Sequence, residues 1–170
     1  NFDIVNKVKI NNYGFVSQYD YTKSHEKPLL SVIGDSYVEA LATPVDKTFH
    51  YLLNKDLEEQ ILVYNFAASG AGLSQYLIWA DYANNVFNST YMIFVIISND
   101  FEESLSPSLG RHSFKKSGSD EFTLIRKDYN PDLKRRILRN SALAMYLITN
   151  VKINLSQLFS KPTKTKEYVS

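Results

Sequence analysis

Three short apolar runs separated by stretches of helical spacing constrain this chain more than any other feature. Residues 29–33 (Leu-Leu-Ser-Val-Ile), 61–65 (Ile-Leu-Val-Tyr-Asn) and 91–97 (Tyr-Met-Ile-Phe-Val-Ile-Ile) read as strands. Residues 46–60 place Phe49, Leu52, Leu53 and Leu57 on one helical face, and residues 73–83 do the same with Leu73, Tyr76, Leu77 and Ala80. Strand–helix–strand repetition implies right-handed crossovers and a parallel sheet with flanking helices, an α/β fold. The run 91–97 is apolar at every position, which predicts a strand buried on both faces.

The three strands end in residues that can do chemistry. The first runs into Gly34-Asp35-Ser36, the second into Ala67-Ala68-Ser69-Gly70-Ala71-Gly72, and the third into Ser98-Asn99-Asp100. Strand carboxyl ends are where open α/β sheets bind ligands. Glycine permits the sharp turn that would present the Ser36 hydroxyl. A serine, a bare glycine and an asparagine on successive strand ends can converge on one point. There Ser36 would attack an acyl carbon, while the backbone of Ser36 and Gly70 and the amide of Asn99 hold the oxyanion. Asp35 and Asp100 are read as substrate-side residues that also fix their turns through backbone hydrogen bonds.

This ordered set resembles the SGNH (GDSL-type) esterase and acetyltransferase superfamily. Ser36 matches its nucleophile, Gly70 its second-block glycine and Asn99 its third-block asparagine. Ala40 stands where the first block usually has glycine, and Ile97 where the third block often has one. The family's base comes from an Asp-x-x-His, but the residues three before His25, His50 and His112 are Thr22, Lys47 and Leu109. The resemblance therefore implies a flavodoxin-like sheet that is incomplete at its C-terminus or a domain that has lost its base. In either case the chain alone is expected to be nearly inactive. The implied activity is that of a serine esterase or O-acetyltransferase on acyl, chiefly acetyl, esters of a cell-envelope carbohydrate. The alternative is a non-catalytic binding or scaffold module for an acylated glycan. Relatives with an element like Asn11-Asn12-Tyr13-Gly14-Phe15 often carry a membrane anchor, which implies an extracytoplasmic setting.

With 170 residues, a single domain is expected. It comprises a lead-in (1–28), the βαβαβ core (29–100), an insertion with a hairpin at 113–126 (101–130), a helix opened by Asn130-Pro131 (131–159) and a tail (160–170). A net charge of +1 gives no electrostatic case for nucleic acid, and the absence of cysteine excludes thiol chemistry and disulfides. Three histidines without ligand spacing predict no metal, and no Gly-rich phosphate loop points to a cofactor. His112, in the insertion, is read as a substrate contact and a possible substitute base. The third strand would be an edge despite its apolar sequence. It therefore needs a cover: a partner copy, further strands or the 113–126 hairpin.

Overall fold

The computed structural model describes residues 6–118 and 121–131, with isolated positions from 136 to 146. The chain divides into two units, Asn1–Asp128 and Tyr129–Ser170. The expected helix at 131–159 and the tail after it lie largely outside the described residues.

The first unit is built on a three-stranded parallel sheet in the order β2-β1-β3, with β1 at Leu29–Gly34, β2 at Leu62–Ala67 and β3 at Tyr91–Phe94. Among the described residues, five helical segments join or follow these strands. They are α1 (Ser36–Glu39), a 3-10 turn (Val45–Lys47), α2 (Phe49–Leu57), α3 (Leu73–Phe87) and α4 (Asn99–Leu105). The chain is thus α/β, with helices flanking a parallel sheet.

Alternation along the strands separates two cores. Leu29 and Ile33 of β1 join Tyr64 and Phe66 of β2 against Tyr76, Ala83 and Phe87 of α3. The intervening Leu30, Val32, Val63 and Ala67 pack with Val38 of α1, and Leu53 of α2 lies against them. A period of two on strands sends neighbours to opposite faces, so each face of the sheet carries its own helix. The lead-in does not stay on the surface. Tyr21 stacks on Tyr64 with ring centroids 3.9 Å apart, and Tyr13 and Phe15 meet Phe87 and Phe66 edge-on.

Several boundaries and faces differ from those the sequence suggested. Helix α2 is shorter than 46–60, and its inward face is not the aliphatic stripe: Phe49 and Leu52 are exposed, while His50 is buried. Positions 50, 53, 54 and 57 also have helical spacing, and that overlapping stripe is the one turned inward. On α3, Tyr76 is buried as expected, but Leu77 is exposed and the helix runs on to Phe87, bringing Ala83 and Phe87 inward. Strand β3 stops at Phe94 rather than at 97. It is not buried on both faces: Tyr91, Ile93, Phe94 and Ile96 are all exposed. Among the described residues nothing pairs with its outer side. The hairpin forms as expected from β4 (His112–Lys116) and β5 (Phe122–Arg126), but as a separate two-stranded sheet that leaves the β3 edge uncovered.

Candidate active site

At the carboxyl end of β1 the chain reverses so tightly that a side chain on Gly34 would lie 2.3 Å from Val38 Cγ2. Only glycine leaves room for α1 to fold back on the strand. Asp35, wholly buried, caps that helix: its Oδ1 accepts from the Tyr37 N–H at 2.9 Å, and its Oδ2 accepts from the Ser36 hydroxyl at 3.2 Å. Ser36 is the first residue of α1, and Ala40 closes the helix in the left-handed region at φ 51°. This conformation is costly for a residue with a Cβ and accounts for a preference for glycine at such a position.

Ser36 lines an open cleft of ≈ 370 Å³ with Tyr37, Ala40, Leu41, Ala42, Thr43 and Ser69. The loop after β2 forms the opposing wall. Its Gly70 has φ +72°, and its Ser69 is gripped by Glu39, whose Oε2 accepts from both the Ser69 N–H (2.7 Å) and the Ser69 hydroxyl. On the other side Arg111 donates through Nη2 to the Ser69 carbonyl and through Nη1 to the Gly70 carbonyl. The N–H groups of Ser36 and Gly70 donate to no acceptor among the described residues.

Gly70 follows the cleft-lining Ser69 but does not itself line the cleft, and the remaining expected residues lie apart from it. Asn99 follows β3 on the same edge of the sheet, but its Nδ2 donates to Glu103 Oε1 at 3.1 Å along its own helix, and it does not line the Ser36 cleft. Asp100 is wholly buried, which removes it from substrate contact, as burial also does for Asp35. Its Oδ2 accepts from the Ile97 N–H (2.8 Å) and the Tyr76 hydroxyl (3.1 Å), so it holds the turn into α4. Desolvation raises the Asp100 carboxyl above the usual carboxylate range, and the same burial, with Asp100 alongside, raises the Tyr76 hydroxyl.

None of the three histidines hydrogen-bonds to Ser36. His112 is off the cleft as well, with Nδ1 3.2 Å from Gln75 Oε1; burial, and then Arg126, lowers its pKa. His25 ties together the carbonyl oxygens of Lys27 and Phe87. His50, within α2, is buried, and desolvation pushes its pKa down to about 4. Among the described residues, no cluster of His, Asp and Glu is arranged to hold a metal, and no helix is long and apolar enough to cross a membrane.

Two residues at this site, Glu39 and Arg111, carry no sequence signal. The insertion was expected to reach the site through His112; its neighbour Arg111 makes the contact instead. The closure of the hairpin places it there, through the Gly110 N–H on the Lys127 carbonyl (2.6 Å) and the Lys127 N–H on the Arg111 carbonyl (3.3 Å).

The arrangement defines a class, an α/β unit with a serine-headed turn on the carboxyl edge of a parallel sheet. No family model, curated protein or solved structure matches the chain.

Proposed function

We propose that this unit carries a serine-centred acyl-transfer site of the SGNH type, acting as an esterase or O-acetyltransferase on acyl esters such as acetylated carbohydrate. One observation carries the reading. Ser36 opens α1 on the cleft with its N–H uncommitted, and the N–H of Gly70, next to the cleft-lining Ser69, is uncommitted as well. Preorganised donors of this kind favour the charge that develops on an acyl oxygen.

In the proposed reaction Ser36 Oγ bonds to the acyl carbon as its proton passes to water or to its partner Asp35. The oxyanion forms between the two N–H groups, and as it collapses the ester C–O bond breaks and the departing oxygen takes that proton, leaving as the alcohol. Water or a sugar hydroxyl then releases the acyl group from Ser36. Asn99 would add a third donor only after its amide leaves Glu103. Among the described residues, the one titratable group bonded to the Ser36 hydroxyl is Asp35, a poor base for an alcohol. Without a histidine, turnover would fall on the order of 10⁴- to 10⁶-fold. A single reaction with an activated reagent remains within reach.

The test is treatment with a fluorophosphonate, in which the Ser36 Oγ–phosphorus bond forms as fluoride leaves. Intact-mass analysis should find one adduct, mapped to Ser36 and absent in Ser36→Ala. Labelling that persists in Ser36→Ala, or no adduct at all, would remove the catalytic reading. That none of the three histidines hydrogen-bonds to Ser36 favours the second reading, a glycan-binding module. Affinity for an acetylated glycan over its deacetylated form, without an adduct, would support it.

A further inference from the structure

We infer that Arg111 and Glu39 are a pair of positioning residues that hold the Ser69-Gly70 segment from opposite sides, so that the Gly70 N–H alone is left to face the acyl oxygen. The inference rests on the reading of Ser36 as nucleophile.

The segment's polar groups are nearly all committed. The Ser69 N–H and hydroxyl go to Glu39, and the Ser69 and Gly70 carbonyls go to Arg111. The Gly70 N–H makes no hydrogen bond among the described residues. A carboxylate has only acceptors and a guanidinium only donors, so each can grip one side of the peptide without competing for the N–H. Both contacts are charge-assisted, which makes them stronger and more directional than neutral ones. The left-handed Gly70 fits this tightly. A Cβ there would lie 2.8 Å from Arg111 Nη1, so the side chain occupies the space that glycine leaves open.

The two residues come from distant parts of the chain and serve different elements. Glu39 is on α1, the helix that begins with Ser36, so the carboxylate ties the loop to the nucleophile's own helix. Arg111 sits at the base of the β4–β5 hairpin. The hairpin thus acquires a role at this site: it supports the loop that would stabilise the oxyanion. Misplacing one such donor typically costs 10²–10³-fold in rate.

The experiment compares the unaltered protein with Arg111→Gln, Arg111→Lys and Glu39→Gln. It measures the rate of fluorophosphonate labelling at Ser36, amide hydrogen exchange across residues 68–72 and in α3, and the melting temperature. Arg111→Gln and Glu39→Gln should slow labelling about 10- to 100-fold and speed exchange at Ser69, with α3 still protected. Arg111→Lys should recover part of the rate, because an ammonium can reach one carbonyl. Unchanged labelling and exchange in both neutral variants would overturn the inference. Should Arg111→Gln lose its fold, Glu39→Gln carries the same test from the other side of the loop. If the unaltered protein is not labelled at Ser36, the nucleophile reading fails, while exchange at Ser69 still decides whether the grip exists.

Discussion

The Tyr21 hydroxyl donates to the Asn65 carbonyl and accepts from the Asn65 N–H, each at 2.9 Å, and so occupies the outer edge of β2 as a neighbouring strand would. Next to it, Asn54 Oδ1 accepts from the Val63 N–H at 2.9 Å. One edge of the sheet is therefore closed by side chains from the lead-in and from α2. Tyr21→Phe keeps the ring stack on Tyr64 but leaves two buried backbone groups without partners. It should cost about 1–3 kcal/mol in denaturant unfolding. A loss within error of zero would mean that water replaces the hydroxyl at no cost.

His50 makes stability depend on pH. Its folded pKa, about 4, lies below the ordinary 6.5, so between those values the unfolded chain binds more protons. The contribution is fully present above pH 6.5 and is lost as the pH falls toward 4, by at most about 3 kcal/mol. Melting curves across this range should show the decline, and His50→Leu should flatten it. An equal slope in the variant would assign the pH dependence to other groups.

Ala40 is in the left-handed region with φ 51° and ψ 43°, where a Cβ is strained. Ala40→Gly should raise stability by roughly 0.5–1 kcal/mol, since relief of strain outweighs the freedom glycine gains in the unfolded chain. A lower melting temperature would show that the strain is small.

Strand β3 lacks what β2 has. The Val95 N–H donates to Ile33 at 2.9 Å, and among the described residues no strand lies on the other side of β3. With Phe94 and Ile96 exposed, this edge is a template for pairing. Light scattering should find a mass above that of the monomer, rising with concentration, and Phe94→Lys with Ile96→Lys should return it to one chain. Monomeric behaviour of the unaltered protein would contradict this.

The sequence displays some of these features and hides others for identifiable reasons. Strands β1 and β2 are legible because burial on both faces demands continuous apolar residues, and Asp35 is legible as a turn-capping side chain just before a helix. The inward face of α2 is not, because His50 and Asn54 look like surface residues until their partners, Thr48 and the Val63 N–H, are in place. The same apolar run gives either a covered strand or an edge, and only neighbours decide which. Glu39 and Arg111 meet the Ser69-Gly70 segment across 30 and 41–42 residues, a relation that no local spacing announces.

Helix α1 is only four residues long, yet Ser36 stands at its start and Glu39 at its end. The helix works as a ruler. An α-helix turns about 100° per residue, so inserting one residue between them would swing the carboxylate well away from Ser69. Deleting one would swing it the other way. Val38, buried against Gly34, fixes the ruler to β1. The segment from 34 to 39 can therefore tolerate changes in residue type at its exposed positions, such as Tyr37, far better than any change in length. Whatever chemistry the cleft performs, its two walls must change register together or lose contact.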